Sequence, residues 1–223
     1  RSLSLRCMEL IEKASHRTCF SKLDSMPPSF LGSVRDAYEE GLMEIVAEDE
    51  AIYEALFAYL KEHRPKDLPM LRRYQDDLLS LSSLYGIRGV LEEALRQKVW
   101  LSSGAYLVIQ PTEALTVIDV NTGKYSEKKK NSQATYLKIN LEAAREAARQ
   151  LRLRNLSGIV IIDFINMERK EDQQMLLDAL NAYLKKDPVK TVLVDMTPLN
   201  LVEITRKKVR RPLYEEFAKK RGE

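Results

Sequence analysis

Cysteine and histidine are nearly missing from this chain, with two of each in 223 residues. Cys7 and Cys19 form no Cys-x-x-Cys pair, so a zinc cluster built within the chain is excluded and the thiols read as free, in a reducing compartment. Glycine is scarce too, at 8 residues, and no Gly-rich phosphate loop of either common type is present, which disfavours nucleotide-cofactor binding through such loops. The longest apolar run, around Ile159 to Ile165, is short and broken by Asp163, so no segment can span a bilayer. The first residues, Arg-Ser-Leu-Ser-Leu-Arg, lack the apolar core of a secretory signal, and their Arg and Ser content only faintly resembles a transit peptide. A cytoplasmic protein is expected. There is no internal repeat and no low-complexity tract. Nor is there an excess of one charge: 36 Lys and Arg against 33 acids leave +3, too little to indicate a polyanionic partner by itself.

What is present is unevenly placed. Basic runs at Lys124 to Lys130 and Arg206 to Arg211 both fall in the second half. The chain starts on Arg and stops at Lys-Lys-Arg-Gly-Glu without a closing element, so a piece of a longer protein is expected.

Residues 1–27 read as a polar, mostly helical lead ending at the Pro27-Pro28 break. Phe30 to Ala47 carries Val34, Tyr38, Leu42 and Ile45 at helical spacing, although Leu42 to Ala47 also suits a strand. Asp49 is a candidate N-cap for a helix burying Ile52, Leu56, Tyr59 and Leu60. After Pro65 to Pro69, a helix is expected from Ile87 to Val99. From Trp100 onward β-branched runs alternate with helical ones. Tyr106 to Ile109 and Leu115 to Ile118 read as a hairpin. A helix from Leu141 to Arg154 follows, capped by Asn140 and with an apolar stripe of Leu141, Ala144, Ala148 and Leu151. Then come a strand at Ile159 to Phe164, a helix at Lys170 to Lys186, a strand at Thr191 to Asp195 and a last helix including Leu199 to Val209. The order is that of an α/β fold, in which ligands sit beyond the carboxyl ends of the strands.

Two strands deliver aspartates there: Asp119 in Leu115-Thr-Val-Ile-Asp-Val-Asn-Thr-Gly123, and Asp163 in Ile159-Val-Ile-Ile-Asp-Phe164. Should the strands be neighbours, the carboxylates converge and can grip a divalent cation through oxygen, with the Asn121 amide available to orient one of them. The plain alternative is a pair of turn-capping aspartates and a turn asparagine. Asp195 is a lesser candidate. A loose D-x-N-x-G at Asp119 to Gly123 does not make an EF-hand, because its glycine comes at loop position five and position twelve is Lys130.

These residues also resemble a family. Thr112-Glu-Ala-Leu-Thr-Val-Ile-Asp-Val-Asn-Thr-Gly123, Asn140-Leu-Glu-Ala-Ala144, Ala148-Arg-Gln-Leu-Arg-Leu-Arg154 and Ile162-Asp-Phe-Ile165 are similar, in order, to signature blocks of the ribonuclease E/G endoribonucleases across most of Val99 to Leu213. The resemblance implies a mixed-sheet, DNase I-like catalytic subdomain over 99–223, with Asp119 and Asp163 as Mg²⁺ ligands, Mn²⁺ as a substitute, and Asn121 as their hydrogen-bonding companion. It implies a smaller, helix-rich RNase H-like structural subdomain over 28–98, with blocks at Glu44 to Asp49 and Leu84 to Ile87, and a remnant of a 5′-end-sensing region in 1–27. Single-stranded RNA is the implied partner, cut to leave a 5′ phosphate and a 3′ hydroxyl. Arg145, Arg149, Arg152 and Arg154 could neutralise its phosphates, the Arg206 to Arg211 run could extend that track, and Lys190 aligns with a basic position used near the RNA 5′ phosphate. For each arginine the alternative is a solvated face with pairs such as Glu142–Arg145 or Glu146–Arg149. Tyr125 and Phe164 are the aromatics nearest the aspartates, and Phe164 alternates into the core.

Three departures accompany the resemblance. The family's S1-type β-barrel does not precede the catalytic part within this chain. The two-cysteine zinc-link is not within it either, so no zinc is expected and any homo-oligomer is not zinc-linked here. Asn166 stands where the family often has a second Asp. Rival readings are a non-cleaving RNA-binding fragment, a metal-dependent nuclease acting on DNA, and a structural assembly domain.

Overall fold

The computed structural model describes residues 2–24, 28–36, 42–123 and 133–220. The chain divides into two compact units, Arg1–Leu81 and Ser82–Glu223, a boundary earlier than the 98/99 division the sequence suggests.

The first unit opens with helices α1 (Ser2–Ser15) and α2 (Ser29–Asp36). Strand β1 (Ile45–Ala47) follows, so Leu42 to Ala47 resolves in favour of its strand reading. Asp49 caps α3 (Glu50–His63), its carboxylate accepting from the Ile52 N–H at 2.9 Å. A 3₁₀ turn over Pro65–Met70 leads into β2 (Leu71–Arg73), which pairs parallel with β1. Their small core joins Ile45, Ala47, Leu56 and Leu60, with Tyr59 packed at its margin, whereas Ile52 of the expected stripe is exposed.

Helices α4 (Leu81–Leu84) and α5 (Ile87–Ala94) precede a six-stranded mixed sheet. The helix expected to reach Val99 stops at Ala94, because Lys98–Trp100 is instead an edge strand, β3. Strands β4 (Tyr106–Pro111) and β5 (Leu115–Asn121) form the expected hairpin. Helix α6 (Gln133–Leu153) crosses over to β6 (Gly158–Asp163), which lies parallel to β5. Helix α7 (Lys170–Leu184) leads to β7 (Thr191–Met196), then β8 (Leu201–Arg206) and α8 (Leu213–Lys220). The sheet order is β3-β4-β5-β6-β8-β7. No helix among the described residues is long and apolar enough to cross a membrane.

The expected final helix over Leu199 to Val209 is replaced by β8. Val202, Ile204 and Arg206 are buried while the residues between them are not, a period of two that only a strand delivers. Alternation also sets the layers. Ile118 and Val120 of β5, with Val160 and Ile162 of β6, turn one face toward α6 and α7 and share a core with Leu176, Leu180 and Leu184. Ala143, Ala144, Ala147 and Ala148 let α6 approach that face closely. Asn155, at φ 48°, ends α6 as the Leu156 N–H reaches back to the Leu151 carbonyl at 3.0 Å.

At the end of the sheet away from the aspartates, Arg206 is locked in place. Its Nε donates to Asp187 at 2.8 Å, with both side chains almost wholly buried at 3% and 1% exposure. Its Nη1 donates to Asn155 Oδ1 and the Leu156 carbonyl at 2.8 and 3.0 Å. Burial pushes the Asp187 carboxyl up, but bonds from Arg206, the Val189 N–H and Thr191 outweigh it and hold the group below its ordinary 3.8. A depressed folded pKa adds stability above the ordinary value that disappears as pH falls through the folded one. Asp187→Asn should therefore cost about 3–5 kcal/mol at pH 7 by leaving the guanidinium buried without its counter-charge. Urea unfolding at pH 7 and near pH 2.5 should show the difference between the two proteins shrinking in acid.

Candidate active site

Asp119 and Asp163 are register partners across β5 and β6. Neighbouring strands lie about 4.8 Å apart and partnered residues share a face, so the two side chains leave the sheet side by side. That face is the one opposite α6 and α7. Asp163 is exposed, Asp119 half-buried. Asn121, two residues on and on the same face, donates from Nδ2 to Asp119 Oδ2 at 2.7 Å, which fixes the carboxylate's rotation. Among the described residues no three His, Cys, Asp or Glu side chains converge. The second unit contains neither histidine nor cysteine. The donor set here is therefore two carboxylates and hard oxygen alone, which fits an oxygen-preferring cation that keeps several waters, such as Mg²⁺, and suits zinc poorly.

The loop after Asp163 is tied down by side chains to which the sequence assigns no such role. Asn140 is no helix cap: α6 already runs from Gln133, and Asn140 lies fully buried in its middle. From there Nδ2 donates to the Ile165 carbonyl at 2.7 Å, and Oδ1 accepts from the Ile165 N–H at 3.1 Å. The Glu168 N–H donates to Gln133 Oε1, Gln173 Nε2 to the Met167 carbonyl, and Asn200 Nδ2 to Asn166 Oδ1. Phe164 is in the core, as its alternation with Asp163 requires. On the β5 side, Gly123 adopts φ 58°, and a Cβ there would collide with the Gly104 carbonyl oxygen and touch the Tyr106 ring.

The other candidate residues are scattered. Asp195 sits on β7 with β8 between it and β6, paired with Glu203, and its own carboxylate accepts from the Met196 N–H at 2.8 Å. Arg145 and Arg149 are exposed and Arg152 partly so, but α6 carries them on the layer behind the sheet, away from the carboxylate face. Arg149 pairs with Glu146 at 2.8 Å, as expected of a solvated face. Glu142 does not pair with Arg145. It accepts from the Ser102 and Ser103 N–H groups at 2.8 and 3.4 Å; burial raises its pKa, these bonds lower it, and the net shift is downward. Arg154 is buried, donating from Nε to Gln150 at 2.6 Å. Burial lowers its pKa, partly offset by the charge of Glu146. Arg206 is the interior partner of Asp187, so the basic run begins with a structural residue and its expected RNA contact does not fit its burial. Lys190 is exposed beside the start of β7, whose Thr191 aligns through Arg206 with Gly158, the end of β6 opposite Asp163. Lys124 to Lys130, with Tyr125, lie outside the described residues.

Two substitutions separate the support from the carboxylates. Asn140→Ala leaves the partly buried N–H and carbonyl of Ile165 without their partner and should cost about 1–3 kcal/mol in urea unfolding. Gly123→Ala places a side chain where only glycine fits and should cost at least about 1 kcal/mol, with Gly104 and Tyr106 showing the largest amide chemical-shift changes.

Residues 2–209 match the Ribonuclease E/G family. The chain is 40% identical over 186 residues to Ribonuclease E of Synechocystis sp., covering 82% of this chain and 27% of that protein. It is 40% identical over 177 residues to Ribonuclease G of Salmonella typhimurium, with 79% and 36% covered. The Ribonuclease E/G-like protein of Pyropia yezoensis is 36% identical over 185 residues, with 82% and 36% covered. The chain thus spans between 27% and 36% of the length of these relatives. A match across nearly the whole chain, together with relatives at this identity, means that it belongs to the ribonuclease E/G family.

Proposed function

We propose that this chain is the catalytic portion of a Mg²⁺-dependent endoribonuclease that hydrolyses single-stranded RNA to 5′-phosphate and 3′-hydroxyl ends, in cytoplasmic RNA processing or decay. The observation that carries the reading is the in-register pair Asp119 and Asp163 on one open sheet face, with Asn121 bonded to the first. In this reading 99–223 is the DNase I-like catalytic subdomain, 28–98 the RNase H-like structural one, and 1–27 a remnant of the 5′-sensing region.

Asp119 and Asp163 would hold the ion. A bound divalent cation supplies Lewis-acid polarisation of a phosphate oxygen and acidifies a water. The protein's own part is positional. Asn121 fixes the orientation of Asp119, so the pair needs little reorganisation as negative charge develops on the phosphate. Asn140 holds the Ile165 backbone, and through it the exit of β6, against α6. Asn166, where an aspartate is frequent in the family, bonds to Asn200 and adds no charge beside the pair. The polarity of the products comes from family resemblance.

A second reading keeps the same fold as an RNA-binding piece that cuts only with a further domain or a partner chain. The deciding assay uses a 5′-monophosphorylated, A/U-rich single-stranded RNA with Mg²⁺ or EDTA, beside a DNA strand of the same sequence. Cleavage of RNA alone, dependent on the metal, is expected. Asp119→Asn and Asp163→Asn should each lower it by at least about a hundredfold, with unfolding midpoints close to the parent's, because charge changes while volume hardly does. An active Asp163→Asn protein would sink the assignment.

A further inference from the structure

The edge of the open sheet face carries an aromatic pair that the carboxylate chemistry does not use. Trp100 and Tyr106 are register partners across β3 and β4, and Tyr106 is in turn the register partner of Asn121. All three side chains therefore leave the sheet on the face of Asp119 and Asp163. The rings meet edge to face with centroids 5.1 Å apart. Lys98, two residues before Trp100 on the same strand face, sets its ammonium 4.1 Å from the indole centroid and 3.5 Å from the phenol centroid. Trp100 is nevertheless 59% exposed, an unusual position for the largest apolar side chain.

Resting on the reading of the preceding section, we infer that Trp100 and Tyr106, with Lys98, form a stacking subsite for one unpaired nucleobase of the RNA, a few nucleotides from the bond that is cut. Strand spacing and residue rise put the pair roughly 8–16 Å from the carboxylates, a distance that a few linked nucleotides bridge. An exposed aromatic on a rigid strand gives a base a flat apolar surface with little entropy to lose, and a cation beside it serves the flanking phosphate. A cleft of about 270 Å³ adjoins this edge. It lies toward α6, behind the sheet, where Arg149 pairs with Glu146, so the cation of the subsite is Lys98. Tyr106 also lies near the end of the Asp119 strand, where a Cβ built on Gly123 would come within 3.4 Å of its ring. Stacking reads no base edge, so the subsite tolerates any sequence and discriminates against paired strands.

Trp100 is the only tryptophan, so its emission reports on the subsite without a label. The whole chain is titrated in EDTA with an A/U-rich single-stranded RNA, with the same RNA annealed to its complement, and with copies carrying one abasic nucleotide at successive positions. Single-stranded RNA should quench the emission, the duplex should not, and one abasic position should weaken binding as Trp100→Ala does, roughly 5- to 150-fold in Kd and in KM for cleavage. Trp100→Phe should stay within a few-fold of the parent, which separates a lost ring from a damaged fold. Asp119→Asn should keep the quenching while losing cleavage. Quenching without metal-dependent cutting by the parent would fault the nuclease reading and leave the subsite standing. Cutting with no quenching, and with an unchanged KM in Trp100→Ala, would overturn the subsite alone. An emission that shifts with protein concentration in the absence of RNA, with a doubled sedimentation mass lost in Trp100→Ala, would overturn it in favour of an interface between two copies.

Discussion

The parallel pairing of β5 with β6 is the constraint on which the site hangs. Parallel strands cannot be joined by a tight turn, so a crossover must bring the second strand back beside the first, and here its helical part is α6. The register is held by burial: a slip of one residue would turn Ile118, Ile162 and their neighbours to solvent and the aspartates into the alanine face of α6. Because an unpaired carboxylate is costly to bury, the hydrophobic core and the carboxylate pair are two expressions of one register. No special contact between Asp119 and Asp163 is needed to bring them together.

That arrangement divides labour between the two faces of the sheet. The covered face is apolar and close-packed and supplies stability; the open face carries Asp119, Asn121, Asp163, Tyr106 and Trp100. Asn140 links the two, reaching from the interior of α6 to the backbone immediately beyond Asp163. A buried amide that satisfies both polar groups of one residue is a stiff support, since displacing it strands a donor and an acceptor together. Asn166 and Asn200, on the other side of the same loop, complete a frame of amide side chains without adding charge.

Much of this was legible in the sequence. Alternating β-branched residues marked β5 and β6, and an aspartate in each broke the apolar run at a strand's end. The errors have physical causes. Leu199 to Val209 has apolar residues at spacings that suit a helix, and only the partners on β6 and β7 reveal the period of two. Asn140 suits a cap by residue type, yet the helix already runs from Gln133 and the side chain is buried inside it. Periodicity puts the arginines of α6 on one face of the helix but does not give the side of the sheet that the helix covers. Arg206 was counted with its exposed neighbours because a run of charges conceals the member that turns inward. Trp100 was seen only as the place where composition changes, since its pairing with Tyr106 depends on a hairpin register.

The insertion of β8 between β6 and β7 has a kinetic consequence. The strands β3, β4 and β5 are consecutive in sequence and joined by short turns, as are β7 and β8, so each set can form early and locally. The β5–β6 pairing closes a much longer loop, and with it the two carboxylates first come together. Partly folded chains therefore hold Asp119 and Asp163 on separate pieces. The charge repulsion of the pair is deferred until enough apolar surface is buried to outweigh it.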